Sequence, residues 1–308
     1  MRKTTLRWLL AATLLATTMA AGAQDARSAL GSLLRSLPGA GTLPNPLAPQ
    51  PAAAPAQAPA VGADLLQMLS DSVDTIGEAR EAEIGRQLAA VLLGSKPLHP
   101  DAVLQRYVNR LGRWLALQST RPGMAWTFGV LDDPGFNAFA APGGYVFVTK
   151  GLVDRVDEAE LAGILAHEIT HVTARHHLKA LGNRARAGLA TQLLASQLRN
   201  DAGGAVSARM LSLGRDLYAR GLDQSDEFDA DRTGVALAAR AGFDPYGLPA
   251  VLQQLRSATP DNQLFTLTLA THPPPQQRLE QLELAMGQRL DALSGKPSVA
   301  IAQRLRQR

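Results

Sequence analysis

Two histidines four residues apart, with a glutamate after the first, restrict this chain more than any other feature. They lie at His167-Glu168-Ile169-Thr170-His171. A helix turns once in about 3.6 residues, so His167 and His171 leave the same face and can grip one Zn²⁺ with neutral imidazoles. Glu168 adjoins the first ligand and can reach a metal-bound water without ligating the metal. The flanking pattern is helical: Leu161, Ile164, Leu165, Ile169 and Val172 mark a buried side, and the period continues through His176, His177, Leu178 and Leu181. The reading expects one helix from Asp157 through this region, buried in a domain large enough to surround it.

The 308 residues and an apolar fraction of 46% suffice for such a core. Lysine and arginine total 31 against 27 acids. Arg2, Lys3 and Arg7 fall in the first 23 residues, which contain no acid, so the remainder is almost neutral. No basic patch interleaved with aromatics points to nucleic acid. Cysteine is absent, which excludes disulfides, thiolate zinc ligands, a cysteine nucleophile and a lipobox cysteine.

Residues 1–23 read as a secretory signal. A basic start precedes a short apolar run from Trp8 to Ala20, and Ala21-Gly22-Ala23 offers a small-x-small cleavage site. The run falls short of the roughly 20 apolar residues that span a bilayer. Residues 24–61, with seven prolines between Pro38 and Pro59, read as an extended Pro/Ala-rich linker. One folded domain carrying the two-histidine motif is expected over 62–292, and a frayed tail over 293–308. No other stretch is apolar enough for a transmembrane helix, so the expected address is the periplasm, with association at a membrane surface left open.

Inside the domain, helices are expected at Asp64–Ser72, Ile76–Leu93 and Asp101–Gln118, the last with Val103, Tyr107, Leu111, Trp114 and Leu115 inward. Strands follow at Ala125–Leu131 and Tyr145–Thr149. Between them, Asn137-Ala138-Phe139-Ala140 precedes a Pro142-Gly143-Gly144 turn. It reads either as an edge that another backbone approaches or as an ordinary hairpin arm. Further helices are expected at 186–198, 206–220, Asp226–Ala241, Gly247–Arg256 and Pro275–Gly287.

A catalytic zinc takes three protein ligands and a water. Glu227 and Asp231 share a helix face four residues apart, so Glu227 is assigned to the metal and Asp231 to the outer nitrogen of His167. His177 is the rival third ligand, at the spacing metzincins use but without their glycine at position 174. Glu168 then acts as general base and acid on a water whose pKa zinc lowers to about 7. His272, in the stiff Thr271-His272-Pro273-Pro274-Pro275 loop, and Arg278 are the candidates for a transition-state or gating role.

Several of these motifs occur together, in order, in one family. Asn137-Ala138-Phe139-Ala140 with Pro142-Gly143-Gly144, His167-Glu168 with His171 and His176, Glu227 with Ala230-Asp231-Arg232, and Thr271-His272-Pro273 with Arg278 all match. The chain resembles the HtpX/CAAX-prenyl-protease-type zinc metallopeptidases, metallopeptidase family forty-eight, over about residues 75–290. Within them it is most similar to the exported BepA/LoiP-like branch. The resemblance implies a gluzincin-like α+β fold, mostly helical, with a small β-sheet whose edge strand faces the active-site cleft. It implies one Zn²⁺ per chain on His167, His171 and Glu227, with Glu168 catalytic. It also implies a substrate peptide that adds as a strand at Asn137–Ala140, and a His272 that can block or ligate the metal. The chain lacks the transmembrane helices of the integral-membrane branches and the helical-repeat extension of BepA.

The function expected is an exported zinc endopeptidase acting on unfolded or misassembled envelope proteins. The alternatives are a periplasmic chaperone or adaptor holding unfolded chains at the edge strand over a latent zinc site, and a zinc hydrolase for a non-protein substrate such as a cell-wall peptide.

Overall fold

A computed structural model of the protein describes residues 76–184, 221–259 and 262–306. The signal, the linker and the helices expected at 64–72, 186–198 and 206–220 lie outside the described residues. The rest forms the mostly helical α+β arrangement expected, built around one small sheet.

The sheet has three strands, β1 (Thr127–Leu131), β2 (Ala138–Ala141) and β3 (Tyr145–Thr149), in the order β1-β3-β2. β3 is parallel to β1 and antiparallel to β2. Val146, Phe147, Val148 and Thr149 are all buried, so the central strand reads as a continuous apolar run instead of an alternating one. β1 starts two residues later than the sequence pattern suggests, and β2 one residue later. The turn Pro142–Gly144 reverses the chain with Gly143 at φ 74 and Gly144 at φ 94, a backbone that glycine adopts without a Cβ clash. β2 is left at an edge, with β3 on one side and no strand on the other among the described residues.

Helix α1 (Glu78–Ser95) lies against that turn and the sheet, burying Ile84, Leu88 and Leu92. Helix α2 (Ala102–Ala116) starts at Asp101, whose carboxylate accepts from the Val103 and Leu104 amides and satisfies two of the orphan donors of the first turn. Its inner stripe is Leu104, Tyr107, Val108, Leu111 and Leu115. Val103 and Trp114 were expected inward but are 46% and 51% exposed. The stripe is centred one position round from the expected one, and the Trp114 indole N–H donates to the Ala241 carbonyl.

The short helix α3 (Lys150–Val153) leads into α4 (Glu158–Thr173), which carries the two histidines. A capping box starts α4: Asp157 accepts from the Glu160 amide, and the Glu160 side chain accepts from Asp157 N–H. The helix is buried nearly all round. It does not run on through His176. Arg175 takes φ 58, a left-handed conformation that stops α4, and a separate helical stretch covers 176–184.

Downstream, α5 (Gln224–Arg240), α6 (Gly247–Ser257), α7 (Thr266–Thr271) and α8 (Pro275–Met286) complete the surround. α5 has the most extensive contact with α4, and glycine makes that approach possible. A Cβ on Gly234 would stand 2.9 Å from both the N and Cα of His167. The segment expected to fray is instead tied to the start of α4. Val299 O accepts from Glu158 N–H at 3.0 Å, Ser298 Oγ accepts from Ala159 N–H at 3.0 Å, and Ile301 is buried at the head of helix α9 (Ile301–Arg306). A helix N-terminus has backbone donors to satisfy, and this segment supplies acceptors that the sequence pattern does not reveal. Among the described residues, no helix is long and apolar enough to cross a membrane.

Gly234→Ala should force α5 away from His167. The expected loss is about 1–3 kcal/mol of stability, as for other overpacked contacts, measured by chemical denaturation. Zinc affinity should fall with it.

Candidate metal centre and active site

Helix α4 projects His167 and His171 side by side, with their Nε2 atoms 2.9 Å apart. Helix α5 presents Glu227 to both: Oε2 is 3.6 Å from His167 Nε2 and Oε1 is 3.6 Å from His171 Nε2. Ligands about 2.0–2.1 Å from one tetrahedral ion stand about 3.3 Å from each other, so these three separations suit a shared zinc. His272 brings a fourth donor, with Nε2 3.7 Å from Glu227 Oε2. His167, Glu227 and His272 offer ligand atoms that all lie within 4.8 Å of one another.

The hydrogen bonds behind these atoms aim their lone pairs inward. His167 Nδ1 is 2.9 Å from Asp231 Oδ1 and donates there, which leaves Nε2 as an acceptor. His171 Nδ1 faces His176 Nδ1 at 3.0 Å. His272 Nδ1 is 3.1 Å from the Thr268 carbonyl and 3.0 Å from Thr271 Oγ1, so its Nε2 faces Glu227. Glu227 Oε2 is buried with no hydrogen-bond partner among the described residues. A buried carboxylate oxygen without a donor, facing imidazole lone pairs, is a costly arrangement that a bound cation relieves. The donor set of nitrogens and one carboxylate suits zinc.

Burial sets the charges. Glu168 is 5% exposed, and desolvation pushes its carboxyl up to about 8 even though the Arg278 charge pulls the other way. Burial also pushes Glu227 up to about 8 against the same opposing charge. Burial lowers His171 well below the ordinary imidazole range, and brings His177 and His272 down to about 3. Asp231 goes the other way. Burial opposes its ionisation, but Arg278 and His167 overcome this and hold it far below the usual carboxylate range.

Arg278 does not stand on the ligand side of His167. Its Nε and Nη2 grip Asp231 at 2.8 and 2.5 Å, and Nη2 lies 3.5 Å from His167 Nδ1, on the outer edge of the ring. It holds Asp231, and it also lines a cavity together with His167, Glu168 and His272. Neither His171 nor His177 belongs to the group of three formed by His167, Glu227 and His272. The ring centroid of His177 is 5.5 Å from that of His171, and its Nδ1 is buried with no hydrogen-bond partner among the described residues.

The cleft beside the metal-ligand atoms is lined by Asn137, Ala138, Phe139 and Ala140 together with Glu168, His171, His177, Glu227 and His272. The edge strand and the ligand cluster therefore share one cavity. A second, more apolar cavity shares Asn137, Ala138, Glu168 and His272 with it and is floored by Leu248, Val251 and Leu252 of α6. The threonines that orient His272 escaped the sequence reading. The Thr268-Leu269-Ala270-Thr271-His272 spacing was the available signal, since a side chain four residues after Thr268 can reach back to its carbonyl.

Residues 102–285 match the model of peptidase family M48. Relatives include a beta-barrel assembly-enhancing protease of Escherichia coli (strain K12), 32% identical over 225 residues, covering 70% of this chain and 46% of that one. The mitochondrial metalloendopeptidase OMA1 of Schizosaccharomyces pombe is 30% identical, covering 60% of this chain and 53% of that protein. A protease HtpX homolog of Salinibacter ruber is 31% identical, covering 51% and 66%. The chain spans less than half the length of the assembly-enhancing proteases it matches.

Metal uptake should be linked to pH through Glu227. Its carboxyl is held up at about 8, so at pH 7 the metal-free site carries a proton that a ligand carboxylate must lose. Zinc affinity should therefore rise with pH up to about 8 and level off above it. Calorimetric titration at pH 7 in buffers of different ionisation enthalpy should report about one proton released per zinc.

Proposed function

The chain belongs to peptidase family M48, and from that premise we propose that it is an exported zinc-dependent endopeptidase of the BepA/LoiP-like branch. Its proposed substrates are unfolded or misassembled envelope proteins. The observation that carries this reading is one cavity lined jointly by Glu168, by the donors His171, Glu227 and His272, and by the edge strand β2. The envelope substrate class is supported by the name of the Escherichia coli relative, a beta-barrel assembly-enhancing protease. Export is supported by the basic, apolar, small-residue pattern of residues 1–23.

In this reading His167, His171 and Glu227 hold the zinc. A zinc ion bound there supplies Lewis-acid polarisation of a peptide carbonyl and a more acidic water. The chain's own residues do the rest. An unfolded segment pairs with the outer edge of β2, where backbone hydrogen bonding accepts many sequences and suits a broad substrate range. Glu168 takes a proton from the attacking water and returns it to the amide nitrogen as the peptide bond breaks. Burial raises the basicity of the Glu168 carboxylate, which helps it hold the proton until the amine leaves. Asp231, fixed by Arg278, keeps the proton of His167 on Nδ1 and so keeps Nε2 free as a ligand. His272 stands as a gate, with its imidazole beside Glu227 in the space that a bound chain needs.

Casein hydrolysis by the purified mature chain should require zinc and stop on chelation. Glu168→Gln should slow it by about 10³-fold, within the range of a general base and acid. Equal rates for the parent and Glu168→Gln would overturn the proposal.

A further inference from the structure

Glu81 is a fully buried carboxylate on the inner face of α1, outside the segment that matches the family model. Three partners converge on it from three parts of the chain. Arg121, in the loop after α2, donates from Nη1 at 2.8 Å. Gly143, in the turn that ends β2, donates its backbone N–H at 3.3 Å. Arg175, between α4 and the helical stretch 176–184, places Nη2 3.0 Å from Oε2 as an ion pair without hydrogen-bond alignment. A buried carboxylate is costly unless it is paired, and here two guanidinium groups answer one acid.

Two of the partners lead directly to the site. Gly143 follows β2, and α1 touches its backbone: a Cβ on Gly143 would lie 2.5 Å from Ala82 Cα, and one on Gly85 would lie 1.7 Å from Pro142 O. Only glycines allow so close a contact, so α1 fixes where the edge strand ends. Arg175 is the only non-glycine with positive φ among the described residues, at φ 58. A side chain in that conformation costs free energy that glycine would not, so an arginine there needs a compensating contact, and Glu81 provides one. The next residue is His176, whose Nδ1 is 3.0 Å from Nδ1 of His171. Glu81 is thus tied at once to the end of β2 and to the turn that sets His176 against His171.

We propose that Glu81 is a positioning residue that, through Gly143 and Arg175, fixes the spacing between the edge strand β2 and the imidazole of His171. The inference rests on the proposed roles of that strand and that histidine. It makes α1 part of the active-site apparatus and not only a cover for the sheet.

Arg175→Gly separates positioning from simple stability. It removes the guanidinium from Glu81 but places at φ 58 the residue that prefers it, while Arg121 still neutralises the acid. Glu81→Gln tests the carboxylate itself. Both are measured in the full chain carrying Glu168→Gln, so that peptide binding is read without cleavage. The probes are a fluorescent extended casein peptide and zinc titrated against a competing chelator. Arg175→Gly should keep the parent melting temperature, yet weaken zinc by about tenfold, the loss typical of an outer-shell partner. It should weaken the peptide by roughly tenfold as well, as a shifted edge would. Arg175→Lys, which keeps a cation beside Glu81, should restore most of both. In the active chain, KM should rise more than kcat falls. Unchanged peptide and zinc binding in Arg175→Gly would overturn the inference, whatever Glu81→Gln does to folding. Weakened binding in a chain that never cleaves casein would uphold the positioning role and overturn the proposed activity instead.

Discussion

The site depends on the contact of Arg278 with Asp231. Asp231 is buried, and desolvation alone would tend to keep it protonated. The two-pronged guanidinium contact at 2.8 and 2.5 Å keeps it ionised. An ionised Asp231 accepts from His167 Nδ1, and that choice of tautomer leaves Nε2 bare toward His171 and Glu227. Without the arginine, a protonated Asp231 would accept less well, and the lone pair of His167 would no longer be directed. The ion pair thus acts on the ligand set through geometry and proton placement, at the outer nitrogen of the ring.

The same burial gives neighbouring acids opposite behaviour. Among the described residues no guanidinium fork reaches Glu227 or Glu168 at hydrogen-bond distance, so desolvation dominates and both carboxyls rise to about 8. Asp231, four residues from Glu227 on the same helix, falls. One acid becomes a fixed anion that orients a ligand, and the other two stay poised to exchange a proton or receive a metal. Small residues bring these groups together. Gly234 lets α5 reach the backbone of His167, and Gly85 with Gly143 lets α1 sit on the turn after the edge strand. The space that side chains would occupy there is taken by backbone, so the distances between elements are set by hard contact and not by flexible packing.

The local chemistry of the centre was legible in the chain because helical spacing is a local property. His167 and His171 share a face by arithmetic, and so do Glu227 and Asp231. The helices and the strands β1 and β3 followed from changes in hydrophobic period, whereas Asn137–Ala140 stayed open between edge and hairpin arm until the family resemblance implied a small sheet with an edge strand. The inward face of α2 was misjudged because Val103 and Trp114 fit a helical stripe as well as their neighbours do, and only packing against the sheet selects the stripe at Leu104, Val108 and Leu115. The tail was read as frayed because nothing in Ser298, Val299 and Ile301 announces that the first turn of α4 needs acceptors there.

The sequence by itself therefore determined which groups could meet a metal, because ligand type and helical phase are written residue by residue. It determined the family by the order of those motifs. Tertiary structure alone decided that Glu227 faces His167 and His171 across 3.6 Å, that Arg278 serves Asp231, that His272 leans over Glu227, and that Glu81 joins the edge strand to Arg175. Each of these pairs residues dozens of positions apart or more. Their meeting depends on how helices cross and where glycines let backbones touch, and no local period in the chain encodes that.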